Sequence, residues 1–532
     1  MSEKASENIE TLLYKGGFIM ADVNAKKHGF LDWVERVGNK IPHPFILFCC
    51  LAAAIVIISA VCTIFKIQVV DPVTSKVVVA KSLLSAEGIN FMLQSMVKNF
   101  TGFSPLGLVL VMTLGIGLAE HVGLVSSFMR NSILTLKDYP RIITFMIMII
   151  GICGNLASDA AIVVIPVISA FIFLSLGKHP LAGIAVGYAA TTAGFSANLL
   201  VAGTDALLAG ITTEAVKIVN PNFQVSVVCN WYFMAASTFL LAIVGTIVTE
   251  KIIEPRLGKY NGKKIITQEE VSPLEKRALR NSGIATAIYL IILFVAVFPQ
   301  NSFLRNAKTG SLLDSPLLKA IIPILLILFL VAGITYGITM GKIKVAGDVP
   351  KYMTIAMRDM SSYIVLVFII GQFVAYFNWS KLGYILAVNG AEMLTSMNLK
   401  GIPLFIMFIL LTAFINLFIG SGSAKWALLA PIFVPMFYML GYAPSLTQML
   451  YRIGDSTTNI ISPLFPYMPI ILGLAQEYDE EYGMGTVIST MIPYTVAMLI
   501  MWIIMAIIWI SLGIPYRTRR STLSLINSTK NF

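Results

Sequence analysis

The sequence predicts an all-α polytopic membrane protein built from two related halves, and three observations carry that reading. The 532 residues are 57% hydrophobic and only 12% charged, with a mean hydropathy of +0.83; a soluble chain carries about twice that charged fraction. Apolar runs near the roughly 20 residues that cross a bilayer recur from end to end. Two longer apolar stretches are broken by small clusters of ionisable and hydroxyl residues, once in each half.

Residues 1–43 are of mixed charge and are expected on the cytoplasmic side. The first apolar run begins only after them, with no short apolar core and small-residue cleavage site of a signal peptide. The first half, 44–250, contains the spans Pro44–Lys66, Pro105–Leu118 and Asn230–Val248. Between the first two, Leu84, Ile89, Met92, Met96 and Phe100 recur at near-helical spacing, which predicts a helix along the membrane surface over Ser82–Phe103. Segment 251–281 gathers Arg256, Lys259, Lys263, Lys264, Lys276 and Arg277. It reads as a basic cytoplasmic linker, because Lys and Arg collect in loops on that face. The net charge of +11 is explained in that way, and no nucleic-acid partner is expected. The second half, 282–515, contains Gly283–Phe298, Ala320–Met340, Ser361–Phe377 and Ile492–Ile514. A polar loop is expected at Lys308–Ser315, an amphipathic lead-in at Met353–Ile364, and a polar tail at 516–532. The five cysteines all lie in or beside apolar runs and read as small buried hydrophobes.

Ile142–Leu176 and Ile402–Leu440 are each too long for one crossing and are split by a polar break. Both read as re-entrant hairpins, 142–176 and 402–440, whose arms are too short to span. A repeat follows from what comes next. Ser158 is followed by Pro166, the turn Gly177-Lys178-His179-Pro180 and the polar run Thr191–Asn198. Ser423 is followed by Pro431, the turn Gly441-Tyr442-Ala443-Pro444 and the run Asp455–Asn459. Paired interrupted helices at corresponding positions point to a transporter binding site. Counting crossings opens the two hairpins to opposite faces, as an inverted repeat requires, and leaves the C-terminus outside, against Arg517, Arg519 and Arg520.

Ser423-Ala424-Lys425-Trp426, with Ala430-Pro431 and Pro435 beyond it, resembles the AbgT family of p-aminobenzoyl-glutamate transporters. So do the turn Gly441–Pro444, the run Tyr451–Ile461, the stretch Gln372–Ser380 and the stretch from Asn198 to Asp205. The resemblance covers nearly the whole chain. It implies a bowl-shaped homodimer in the inner membrane, each protomer with about nine transmembrane helices and two re-entrant hairpins. It further implies alternating access, driven by protons, that moves p-aminobenzoyl-glutamate; some members resemble exporters of sulfonamide antimetabolites. The family's functional positions correspond to Asp205, Asn416, Ser423, Trp426, Pro444, Arg452, Asp455 and Pro463. Gly422 stands where the family's loop often has Ala.

Such a substrate is an organic dianion with an aromatic amide, and candidate partners follow. Arg452 offers a planar fork for a carboxylate, or forms a salt bridge with Asp455 at i, i+3. Ser158 and Ser423 lie at the hairpin tips, as anion ligands or helix caps. Trp426 stacks on the substrate ring or packs the hairpin. Lys425 pairs with Asp159 or snorkels to the interface. Proton coupling needs a carboxylate that changes charge, which burial favours and a neighbouring cation opposes. Asp205, with no cation nearby in sequence, is the first candidate and Asp455 the second; Asp205 alternatively caps the helix that follows. Sodium stays open as the coupling ion, with Asn155, Ser196, Asn198, Thr457 and Asn459 as oxygen ligands. His121 and His179 read as interfacial. No cofactor and no catalytic metal are expected, and no phosphate-binding loop for ATP is present. An intramembrane aspartyl protease using Asp205 and Asp455 is the remote alternative; Arg452 opposes the shared proton it would need.

Overall fold

Prolines, glycines and short caps set where the helices begin, and clusters of polar residues set where they break. The computed structural model describes residues 44–514, apart from 71–74, 136–141, 155–159, 261–270, 308–309, 311–314 and 464. The 1–43 segment, the 516–532 tail, Asn155, Ser158, Asp159 and most of Lys308–Ser315 therefore lie outside the described residues.

Helix α1 (Pro44–Ile64) leads into a two-stranded antiparallel hairpin, β1 (Gln68–Val70) and β2 (Val77–Val79), with Gln68 opposite Val79 and Val70 opposite Val77. Ser85 caps α2 (Ala86–Thr101), its hydroxyl accepting from the Gly88 amide at 3.1 Å. Ile89, Leu93, Met96 and Val97 form an exposed stripe on α2, whereas Met92 and Phe100, expected on one face with Ile89 and Met96, are half-buried. A break at Gly102–Phe103 separates it from α3 (Ser104–His121), and α4 (Leu124–Thr135) follows.

The first hairpin is α5 (Ile143–Gly154) and α6 (Ala160–Ser175). Helix α7 (Pro180–Tyr188) runs on through a π-helical turn, Ala189–Ala193, and then unwinds before α8 (Gly203–Val216). The long α9 (Trp231–Val248) ends in a second π turn, Thr249–Ile253, and the short α10 (Glu254–Leu257). Beyond the linker, Ser272 and Glu275 form a reciprocal cap at the start of α11 (Pro273–Val297), so Lys276, Arg277 and Arg280 belong to that helix. The short α12 (Pro316–Lys319) precedes α13 (Ile321–Thr339). The amphipathic element expected at Met353–Ile364 instead begins earlier, as α14 (Asp348–Asp359). Asp348 starts it by accepting from the amides of Lys344 and Val345 at 2.8 and 3.1 Å. Helices α15 (Ser361–Trp379) and α16 (Leu382–Ser396) come next. The second hairpin is α17 (Ile402–Asn416) and α18 (Gly422–Met439), joined where Phe408 meets Phe433 and Phe437 with ring centroids 4.7 and 5.3 Å apart. Helix α19 (Pro444–Thr457) breaks into a 3-10 turn, Asn459–Ile461, followed by α20 (Met468–Gln476) and the long α21 (Met484–Ser511).

Seven helical stretches among the described residues are long and apolar enough to cross a membrane. The interrupted α7 and α19 are shorter, because each gives up its regular backbone where polar residues gather. The series α5 to α9 matches the series α17 to α21 element by element. In both, the second hairpin arm contains proline, Pro166 in one and Pro431 and Pro435 in the other. A glycine of positive φ then reverses the chain, Gly177 at 71° and Gly441 at 87°, and a proline opens the next helix. Glycine suits such a left-handed turn, and proline suits a first helical turn whose amide needs no partner.

The two series pack together. Helices α9 and α21 are tied by Trp502, fully buried, whose Nε1 donates to Ser237 Oγ at 2.7 Å. The hydroxyls of Thr249 and Tyr494 meet at 2.6 Å. Elsewhere, Ser282 of α11 donates to the Ala332 carbonyl of α13 at 2.9 Å; short polar residues tie membrane helices in this way. Removing the Trp502 ring with Trp502→Ala should cost about 3–5 kcal/mol, whereas Trp502→Phe, which loses mainly the hydrogen bond, should cost about 1 kcal/mol. Thermal unfolding of the purified variants in detergent measures both, and equal effects would contradict this packing.

Candidate functional site

Helix α19 is buried at every residue from Leu446 to Thr457 although it carries Gln448, Arg452, Asp455 and a run of hydroxyls. Such a helix is tolerated only where its polar groups find partners inside the protein. A Cβ on Gly454 would lie 2.5 Å from the Ile409 carbonyl. Helices α17 and α19 therefore meet at backbone distance between Arg452 and Asp455, and any larger residue would separate them.

Two cations and two carboxylates are buried around α19. Arg452 Nη1 lies 2.5 Å from Asp205 Oδ1, and its Nη2 donates to the Ser196 carbonyl at 2.8 Å. Its Nε is buried with no hydrogen-bond partner. The other oxygen of Asp205 accepts from the Ala202 amide at 2.7 Å, at the start of α8. Asp205 thus both caps its helix and pairs with Arg452. The expectation that Asp205 has no nearby cation is corrected here: its partner lies 247 positions along the chain, on the second broken helix. The local salt bridge between Arg452 and Asp455 is not made.

Asp455 pairs instead with Lys425, Nζ to Oδ1 at 2.6 Å, with Lys425 fully buried. Lys425 therefore does not snorkel; it points inward from the first turns of α18 and also bonds Asn416 Oδ1. Asn416 Nδ2 faces the Asp455 carbonyl at 2.5 Å and Thr458 Oγ1 and Asn459 Oδ1 at 2.8 Å; its two hydrogens serve two of these three acceptors at a time. Tyr451 OH lies 2.5 Å from the Gly422 carbonyl and 3.0 Å from Asp455 Oδ1. The two breaks touch where the Ser196 amide donates to Ser456 Oγ at 3.2 Å.

The other candidates take these places. Trp426 is fully buried, its ring 4.4 Å from that of Tyr451 and its Nε1 donating to Thr212 Oγ1 at 3.0 Å. It packs the hairpin against α8 and α19. Ser421, not Ser423, caps α18, accepting from the Ala424 amide at 3.3 Å; Ser423, the second residue of the helix, is half-buried, 3.3 Å from the Ser421 hydroxyl. Pro444 opens α19, and Pro463 is half-buried after the 3-10 turn. Among the sodium candidates, Thr457 donates to the Ile453 carbonyl at 3.0 Å, Asn459 Oδ1 accepts from Asn416, and Asn198 Oδ1 accepts from the Leu200 amide at 3.4 Å. Asp205 and Asp455 hold different cations, which is not the arrangement of two carboxylates sharing one proton. Sequence reasoning missed Tyr451, Thr212 and Gln448; the i, i+4 spacing of Tyr451 and Asp455 was an available signal.

Two hairpins, two broken helices and a buried charge cluster where the breaks meet define a secondary-transporter architecture. The match to the sequence model of the AbgT putative transporter family covers residues 29–522, and the chain belongs to that family. It is 41% identical over 483 residues to the p-aminobenzoyl-glutamate transport protein of Escherichia coli K12, covering 91% of this chain and 95% of that protein. The crystal structure of the Alcanivorax borkumensis YdaH transporter superposes with a TM-score of 0.85 at 39% identity, over 89% of this chain and all of that one. Neisseria gonorrhoeae MtrF, described as illuminating a class of antimetabolite efflux pumps, superposes with a TM-score of 0.84 at 43% identity, over 90% of this chain and 97% of its own.

Lys425→Met leaves the Asp455 carboxylate buried without its cation, which should cost about 3–5 kcal/mol. Adding Asp455→Asn should restore most of that loss, since no unpaired charge then remains. Melting temperatures of the single and double variants check this; a single variant as stable as the parent would refute the buried pair.

Proposed function

We propose that the protein is a secondary active transporter of p-aminobenzoyl-glutamate, coupled to protons and working by alternating access of the elevator type. The observation that carries the proposal is the Asp205–Arg452 pair at the meeting of the two breaks. A guanidinium is a bidentate partner for a carboxylate, and the substrate carries two. Asp205 and a substrate carboxylate therefore compete for one cation. Protonation of Asp205 releases Arg452 to the substrate, and loss of that proton restores the internal pair and expels the substrate. Proton and substrate then travel together through competition rather than through separate sites.

The Lys425–Asp455 pair has a different task, fixing α18 against α19 while the first pair opens. Protons rather than sodium are the proposed coupling ion, because a proton on Asp205 would break its pair with Arg452 and so act directly on the cation that the substrate needs. The likeness to MtrF favours a second reading in which the same architecture exports antimetabolites such as sulfonamides, with proton entry alternating with substrate exit instead of accompanying the substrate. In either direction the protein is a transporter and not an enzyme, needs no cofactor, and works as a homodimer in the inner membrane.

Purified protein in liposomes should accumulate labelled p-aminobenzoyl-glutamate when an inward proton gradient is imposed. Asp205→Asn should abolish accumulation driven by the gradient while sparing exchange of labelled for unlabelled substrate. Arg452→Lys should lower uptake by roughly tenfold or more, since a point charge replaces the fork, with protein abundance little changed. Accumulation indifferent to the proton gradient, or normal accumulation by Asp205→Asn, would overturn the coupling.

A further inference from the structure

We propose that the aryl end of the substrate sits in an apolar cavity beside the first break, with Asn198 donating a hydrogen bond to the substrate's amide carbonyl. The inference rests on the proposed function and assigns a subsite within it. The cavity is about 790 Å³, within the size range of small-molecule sites. It lies between α4 and α5 on one side and α11 and α13 on the other, and its walls include Phe128, Ile149, Leu200, Leu290 and Phe329.

Ser132, Ser282, Thr286 and Asn198 interrupt that lining, and of these Asn198 has the buried unpaired donor. Asn198 is 3% exposed and its Nδ2 has no hydrogen-bond partner, while its Oδ1 already accepts from the Leu200 amide. A buried amide donor left unpaired is costly, and an occupant with an acceptor would satisfy it. Two residues earlier, the Ser196 carbonyl accepts from Arg452. The apolar cavity and the buried cation therefore share one short stretch of backbone, held in place where Trp231 Nε1 donates to the Leu199 carbonyl at 2.9 Å.

That sequence of groups matches the substrate: a ring for the cavity, an amide carbonyl for Asn198, and a carboxylate for Arg452. The ring needs such a place because Trp426 is fully buried and engaged with Tyr451 and Thr212, so it offers no free face. The cavity also has an accessible control. A Cβ added to Gly283, on its α11 wall, would meet no atom within 4 Å, so a larger side chain there occupies free volume rather than displacing backbone.

Competition against labelled p-aminobenzoyl-glutamate uptake tests the assignment. N-benzoyl-glutamate and N-acetyl-glutamate share the amide carbonyl and both carboxylates, and only the first has a ring. The unmodified protein should be inhibited by N-benzoyl-glutamate at concentrations lower by roughly tenfold or more, the worth of burying the ring. Gly283→Phe should remove most of that preference. Equal inhibition by the two compounds, with uptake itself intact, would overturn the subsite while leaving the transport function standing; failure of the unmodified protein to take up p-aminobenzoyl-glutamate at all would overturn the function. A preference unchanged in Gly283→Phe would also overturn the subsite. A second readout avoids the Gly283 variant. Cys153 lines the cavity and is half-buried; with the other four cysteines changed to serine, N-benzoyl-glutamate should slow its labelling by maleimide and N-acetyl-glutamate should not. Labelling equal with both compounds, or a Cys153 that reacts in detergent but is blocked by lipid alone in nanodiscs, would overturn the proposal, the latter by assigning the cavity to an acyl chain.

Discussion

The ion pair between Asp205 and Arg452 is the constraint on which the rest of the site depends. An ionised side chain inside a bilayer is expensive unless it faces a partner or a wet cavity. Arg452 sits on the broken helix of the second repeat and Asp205 just beyond the break of the first, so neither half can bury its charge alone. The same guanidinium binds the Ser196 carbonyl, a backbone group freed by that first break. The irregular backbone and the buried charge thus stabilise one another, and the two repeats are held together where they are least regular.

The second pair works within one repeat. Lys425 leaves the first turns of α18, meets Asp455 of α19, and is surrounded by Asn416, Tyr451 and the nearby carbonyls. Its network is crowded with donors and acceptors and joins the hairpin tip to its neighbouring helix. The Asp205–Arg452 pair has fewer supports: Arg452 Nε has no partner. A pair between halves with an unused donor is suited to exchange partners, and a pair within one half with a full set of bonds is suited to stay closed. The apolar cavity reaches Asn198, two residues along the chain from the Ser196 carbonyl that Arg452 binds.

Much of this architecture was legible in the sequence, and what was not has a common physical cause. Hydropathy exposed the long spans, and Gly441–Pro444 against Gly177–Pro180 exposed the repeat, because glycine and proline act locally on the backbone. Partner assignments failed where they were made from local spacing. Arg452 and Asp455 are close in sequence, yet each turns to a residue from another element, and the partner of Asp205 lies in the opposite half. Lys425 was expected to pair with Asp159 or reach the interface, because nothing in its own segment signals Asp455 as its partner. Ser421 rather than Ser423 caps α18, an error of half a turn that propensity cannot resolve. The β-hairpin and the helices α4, α16 and α20 carry no span-length hydropathy signal, since they are short or of mixed polarity.

The proposed competition between Asp205 and a substrate carboxylate for Arg452 makes proton uptake on binding the most direct measurement. Titration calorimetry of detergent-solubilised protein with p-aminobenzoyl-glutamate, repeated in buffers of different ionisation enthalpy, counts the protons taken up. Competition at this pair predicts uptake of about one proton per substrate bound, and none in Asp205→Asn, which would still bind. Binding without proton uptake in the unmodified protein, or equal uptake in both proteins, would contradict it.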